Sequence, residues 1–289
     1  MTVPDVLRYA AFTSDPEGGN PAGVVLDARG LDAATMQRIA AEVDFAETAF
    51  VIGTREDGAR RIRYFSPIAE VPFCGHATVA TAVAVAERGD LAGDAIVFAT
   101  PVGDIRIELE RDADGIRAAF TSVPPSVRPL PIEDRDAILD LLALASSDLD
   151  PALPPRLSDA GNPHPVIALA DRRVFDGFRF DPDRVRALLD ERGWPATIAV
   201  VHRLGDDRFV ARNLFPVGRI TEDPATGSAA AAVGAYLREL HAVRVPARVT
   251  IAQGAHVGRP GLLTVDIPAH GGIRVSGAAV LMPSPSGSR

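Results

Sequence analysis

The chain has 289 residues, enough for two domains at roughly 100–200 residues each. Its 47% hydrophobic and 24% charged content is that of an ordinary globular protein, and a net charge of −8 argues against the basic stripe that a nucleic-acid surface needs. All 30 basic residues are arginine, which excludes a lysine Schiff base, a lysine-anchored pyridoxal phosphate and a Walker A lysine.

Cys74 is the single cysteine, so no intramolecular disulfide forms. The six histidines (76, 164, 202, 241, 256 and 270) are scattered without metal-ligand spacing, and no metal is expected. The first residues lack a basic stretch followed by an apolar one, and no apolar run reaches about 18 residues. The expectation is a cytoplasmic protein with no membrane contact.

In chain order, Gly19-Asn20-Pro21-Ala22-Gly23 is a turn signal leading into the apolar strand Val24-Val25-Leu26. An amphipathic helix is predicted over 32–43, with Ala33, Met36, Ile39, Ala40 and Val43 at three- and four-residue steps. A strand at 49–52 follows. Arg63 to Pro67 reads as a strand ending in proline, and Phe73-Cys74-Gly75-His76-Ala77 opens an apolar helix running to about residue 86. Ile105, Ile107 and Leu109 alternate with Asp104, Arg106 and Glu108 as in a half-buried strand. The proline-rich stretch 121–131 is expected to be an extended linker.

After it, a helix at about 133–145 precedes a second proline-rich loop at 151–155. Then the first pattern returns. Gly161-Asn162-Pro163-His164 leads into an apolar strand, a helix is predicted over 182–192 and a strand over 198–201. Phe209 to Pro216 again ends in proline, and Asp223-Pro224-Ala225-Thr226-Gly227-Ser228 opens the apolar helix 229–237. The matching order of elements reads as an old internal duplication. The halves are placed at 1–122 and 127–268, with a last strand, about 272–289, returning to the first.

The helices at 77–86 and 229–237 are apolar on every face and rich in small residues, so each should be buried on every side. The predicted fold is therefore α+β: two pseudo-symmetric halves, each a curled mixed sheet around a buried central helix. A buried helix leaves its first amides without intrahelical partners, and the macrodipole favours an anion there. Gly75 and Gly227 would let a ligand approach those amides without a Cβ in the way.

Candidate residues cluster at these two helix mouths. Cys74 is either a thiol activated by the helix terminus or a buried small hydrophobe. His76 would donate to a substrate carboxylate or move a proton near neutral pH. Asp223 reads equally as a general acid/base or a helix N-cap. Ser228 reads as an anion donor or a helix-start residue. Glu47, flanked by Phe45, Ala46, Ala49 and Phe50, is a carboxylate expected to resist ionisation, which suits a proton shuttle. Glu70 is expected to fix the turn ahead of the first buried helix.

Seven segments, in order over nearly the whole chain, resemble the phenazine-biosynthesis isomerase (PhzF-like) family, part of the diaminopimelate epimerase superfold. They are Phe12-Thr13 with Gly19 to Ala22; Glu47 to Phe50; Phe65 to Pro67; Cys74 to Thr78; Glu222 to Ala229; Gln253-Gly254 with Gly258 to Gly261; and Val275 to Gly277. The resemblance implies an active site between two similar halves, a homodimer, no cofactor and a small carboxylated substrate. Residue by residue it makes Glu47 the acid/base, and His76, Asp223 and Ser228 the other polar active-site groups. Asn20 and the amides of Gly75 and Gly227 would help to hold the ligand. Racemases of the wider superfold use two opposed cysteines. Here Asp223 stands near the second position, so a two-thiol racemase is excluded. Three readings stand: an isomerase with Glu47 as base, an epimerase or dehydratase using Cys74 and Asp223 as an opposed pair, and a non-catalytic binding or interaction protein on the same fold.

Overall fold

The computed structural model describes residues 4–91, 93–113, 115–217 and 220–283. The chain divides into two units, one made of Met1–Phe120 and Ser276–Arg289, the other of Thr121–Val275.

In the first unit, β1 (Leu7–Ala11) pairs antiparallel with β2 (Asn20–Val25). Helix α1 (Ala33–Val43) then crosses over, so that β3 (Glu47–Thr54) lies parallel to β2. This helix forms where its periodicity predicts. Met36, Ile39, Ala40 and Val43 are its buried stripe, and Asp32 caps it by accepting from the Thr35 amide at 2.8 Å. Strand β4 (Arg60–Phe65) runs antiparallel to β3, and the short β5 (Glu70–Val71) folds back on β4. Helix α2 (Gly75–Glu87) follows, and then β6 (Ala95–Thr100), parallel to β4, with β7 (Gly103–Asp112) and β8 (Gly115–Thr121) as a meander.

The second unit opens with β9 (Ser126–Pro129), α3 (Ile132–Leu141) and β10 (Arg156–Asp159). Strand β11 (Pro163–Ala168), helices α4 (Arg172–Gly177) and α5 (Pro182–Arg192) and strand β12 (Ile198–Arg203) repeat the parallel crossover. They are followed by β13 (Arg208–Val217), β14 (Ile220–Asp223), α6 (Gly227–Glu239), β15 (Ala247–Gln253) and β16 (Gly261–Ile267). The last strand, β17 (Arg274–Leu281), pairs antiparallel with β1 through Tyr9↔Leu281 to Ala11↔Ala279.

The pairings come in one order in both units. An antiparallel pair is followed by a parallel crossover, an antiparallel partner, a short antiparallel return, and a parallel strand after the buried helix. The strand pairing in both units is thus mixed. Helix α2 packs against β1, β2, β3 and β7, and α6 against β9, β10, β11 and β16. Every residue of α2 from His76 to Ala86 is buried. Fully burying a valine contributes about 1.5–3 kcal/mol, and α2 buries Val79, Val83 and Val85 completely. Gly234, midway along α6, lies so close to its strands that a Cβ would stand 2.8 Å from both Ile273 and Val265.

Three features differ from the expectation. Part of the 121–131 linker is a strand, because Ser126, Val127 and Arg128 keep their amides and β9 pairs with β10 from Asp159↔Ser126 to Arg156↔Pro129. The helix expected to reach 145 stops at Leu141, where Ala143 turns to φ 52 and the Leu144 amide returns to the Leu139 carbonyl. Helix α4 was not anticipated; six residues are too few for a periodic signal, and Asp171 starts it by accepting from the Arg173 and Val174 amides. Among the described residues no helix is long and apolar enough to cross a membrane.

Candidate functional site

In the first unit four of the sequence-predicted residues meet. Glu47 is the first residue of β3, Cys74 is the N-cap of α2, His76 lies in its first turn, and Asn20 begins β2. The β2–β3 register, Ala22↔Glu47, and the packing of α2 on both strands bring them together. The Cys74 thiol donates to Glu47 Oε2 at 3.4 Å, and its sulfur lies 3.3 Å from His76 Nδ1. His76 Nε2 is 3.5 Å from Glu47 Oε2, and Asn20 Nδ2 is 3.2 Å from His76 Nδ1. Glu47 keeps 17% of its side chain exposed, whereas His76 keeps 8%. The carboxylate is therefore the member of the group that faces outward.

Burial pushes the His76 pKa down to about 4, against the upward pull of its bond to the Pro21 carbonyl. Proline has no amide hydrogen, so the ring is the donor in that bond. His76 is neutral at neutral pH, and its contact with Glu47 is not an ion pair. Cys74 is held from behind by a relay. Thr78 Oγ1 donates to the Cys74 carbonyl at 2.7 Å and, with its hydrogen committed, accepts from the Tyr64 hydroxyl at 2.6 Å. The donor atoms of Glu47, Cys74 and His76 all lie within 4.8 Å of one another, a set of types that can ligate a metal ion.

The second unit holds Asp223, Gly227 and Ser228. Asp223 ends β14, and its Oδ2 accepts from Thr226 Oγ1 at 2.6 Å. Gln253, at the end of β15, clamps this turn. Its Nε2 donates to the Asp223 carbonyl at 2.6 Å and to Thr226 Oγ1 at 2.9 Å, while its Oε1 accepts from the Thr226 amide at 3.3 Å. Gly254 follows because φ is 86° there and a Cβ would stand 2.5 Å from the Pro224 carbonyl oxygen. Beneath the turn, Arg212 and Glu222 form a buried pair with Arg212 Nη2 2.5 Å from Glu222 Oε1. The same guanidinium donates to the Phe175 and Phe178 carbonyls at 3.1 Å. Arg63 and Glu70 make the corresponding pair in the first unit, at 2.6 Å through both nitrogens, so Glu70 does fix its turn.

Ser228 meets a residue that the sequence reading did not single out. His164, fully buried in β11, has Nε2 3.2 Å from Ser228 Oγ and Nδ1 3.1 Å from the Thr197 carbonyl oxygen. A carbonyl only accepts, so the proton sits on Nδ1. Burial lowers the His164 pKa to about 4, so the ring carries no second proton and Nε2 accepts from the Ser228 hydroxyl. What Ser228 Oγ offers outward is a lone pair. In the aligned turns His164 stands where the first copy has Ala22. A polar residue in an otherwise apolar strand was the available signal. Gln253 was visible only as part of a motif.

The two buried helices start differently from their amphipathic neighbours. Aspartates 32, 171 and 181 cap α1, α4 and α5 with side-chain hydrogen bonds, but the N-cap residues of α2 and α6, Cys74 and Thr226, make none. Thr226, not Asp223, is the N-cap of α6. At Gly75 a Cβ would meet only Phe73 Cε1, at 3.9 Å, so packing does not require glycine there. Such an N-terminus suits an anionic ligand.

The chain as a whole is similar to known proteins. A family model described as phenazine biosynthesis-like protein (PhzC-PhzF) matches residues 9–284. An uncharacterised isomerase of Escherichia coli O157:H7 is 35% identical over 290 residues, 96% of each chain. The trans-2,3-dihydro-3-hydroxyanthranilate isomerase of Pseudomonas chlororaphis is 33% identical over 255 residues, 88% of this chain and 86% of that one. A solved structure of a PhzF-family phenazine biosynthesis protein from Bacillus anthracis has a TM-score of 0.85 at 29% identity, over 98% of both chains.

Proposed function

Because the chain belongs to the phenazine biosynthesis-like family, whose matched relatives are named isomerases, we propose that it is a cofactor-independent isomerase that moves a proton on a small carboxylated substrate. Glu47 is the base. Its carboxylate takes a proton from a carbon next to an unsaturated or carbonyl-activated acid. The electron pair spreads into the conjugated system, and the proton returns at another carbon. Acid/base participation of this kind contributes about 10²–10⁴-fold. The first-turn amides of α2, reached past Gly75, stabilise charge on the substrate carboxylate.

The observation that carries this reading is the partly exposed Glu47 carboxylate, 3.4 Å from the Cys74 sulfur and 3.5 Å from a neutral His76, beside a helix start with no side-chain cap. Asn20 orients the His76 ring. His76, Asp223 and Ser228 hold polar groups of the substrate, a role supported by the resemblance of their segments to the family pattern. Ser228 faces a donor rather than an anion, since its own hydrogen goes to His164. Freedom from cofactors, a cytoplasmic location and a homodimer belong to the same proposal and rest on the resemblance. So does a fold of the diaminopimelate epimerase type with two pseudo-symmetric halves.

The test is Glu47→Gln, assayed in deuterium oxide. Trans-2,3-dihydro-3-hydroxyanthranilate is the first substrate to try, because the Pseudomonas chlororaphis relative is named for it. The variant should bind ligand, lose turnover and lose solvent-deuterium incorporation; turnover at the wild-type rate rejects Glu47 as the base. The opposed-pair reading needs Cys74 to take part in the chemistry, and its sulfur lies 3.3 Å from His76 Nδ1. Full loss of activity in Cys74→Ala, with ligand binding retained, would favour it.

A further inference from the structure

The Glu47, Cys74 and His76 side chains offer a carboxylate, a thiol and an imidazole, three donor types that zinc takes together. A tetrahedral zinc ion, with bonds of about 2.3 Å to sulfur and about 2.0–2.2 Å to nitrogen and oxygen, holds its ligand atoms about 3.4–3.6 Å apart. The separations here are 3.4 Å for Cys74 Sγ to Glu47 Oε2, 3.5 Å for His76 Nε2 to Glu47 Oε2 and 3.8 Å for Cys74 Sγ to His76 Nε2. Each edge of the ligand triangle is thus within a few tenths of an ångström of that required. We propose that Glu47, Cys74 and His76 form a three-ligand site for a divalent cation of the zinc class, with the fourth position open to water or to a substrate carboxylate.

Three further observations support the site. The charges balance, because a thiolate and a carboxylate neutralise a divalent ion that would otherwise be costly to bury. The thiol proton leaves to solvent on binding, and the helix terminus behind Cys74 stabilises the thiolate that remains. A ligating histidine also needs its other nitrogen held, and Asn20 meets Nδ1 at 3.2 Å.

Spacing alone hides this site, since 27 positions separate Glu47 from Cys74. A bound cation takes the Glu47 lone pairs, so zinc competes with catalysis. That consequence rests on Glu47 being the base, whereas the site itself does not.

The experiment is a cobalt(II) titration of the full chain after chelator treatment, read by absorption. A thiolate ligand gives a sulfur-to-cobalt charge-transfer band in the near ultraviolet. The band should saturate at one equivalent, disappear on adding zinc and be abolished in Cys74→Ser. His76→Gln should weaken cobalt binding at least tenfold, with circular dichroism confirming that both variants fold. No charge-transfer band with the wild-type chain overturns the proposal, as does binding that survives Cys74→Ser unchanged. Turnover unaffected by one equivalent of zinc overturns the competition. An active Glu47→Gln enzyme would remove the catalytic reading and leave the wild-type cobalt spectrum as it is, so the two failures are distinguishable.

Discussion

His76 and His164 are both buried neutral, and together they set an acid limit on stability. Each pKa is lowered by burial from 6.5 to about 4. The unfolded chain therefore takes up protons first as the pH falls. The stabilising contribution is complete above the unfolded value and is lost progressively from there down to about pH 4. A shift of this size corresponds to about 3 kcal/mol per histidine when fully lost, and about 2 kcal/mol each by about pH 5. Two such groups give about 4 kcal/mol between about pH 8 and pH 5, a large part of the 5–15 kcal/mol typical of a folded protein.

The window isolates the histidines. Glu70, Asp176 and Asp266 have lowered pKa values, so their contributions fade only below their unfolded values of 4.5, 3.8 and 3.8. The assay is urea denaturation at a series of pH values on the wild-type chain, His76→Gln and His164→Gln. Each variant should show about half the wild-type pH dependence, whatever its stability at pH 8. A wild-type unfolding free energy that is flat between about pH 8 and pH 5 refutes the assignment of both rings as buried and neutral.

Two further outcomes are expected. Gly75→Ala should leave stability unchanged or raise it by up to about 1 kcal/mol, because the new methyl meets only Phe73 at 3.9 Å. It should nevertheless lower kcat/KM about tenfold or more, through the substrate approach that the methyl blocks; steady-state kinetics beside thermal melts separate the two effects. Arg212→Ala removes the partner of a buried Glu222 and strands two backbone carbonyls, so it should cost about 3–5 kcal/mol in urea denaturation. A loss below about 1 kcal/mol would mean that water reaches the Glu222 carboxylate.

Local physics alone fixes much of this protein. The aspartate-capped amphipathic helices α1 and α5 follow from periodicity and end chemistry within their own segments. The burial of α2 and α6 follows from helices with no polar face to give to water. The order of elements shows twice in the sequence because turn signals and apolar runs are short-range features. Tertiary structure alone decided what depends on distance. Periodicity assigns no sheet partner to the prolines around β9, and pairing with β10 makes that stretch a strand. The sequence names Glu47, Cys74 and His76 as separate candidates, but the packing of α2 on β2 and β3 sets their atoms 3.3–3.8 Å apart. His164 was one of six scattered histidines until β11 and the first turn of α6 placed it against Ser228. Its proton then became fixed by a carbonyl 33 positions away. Hydrogen-bond direction and protonation state depend on the nearest atoms in space, and those come from distant parts of the chain.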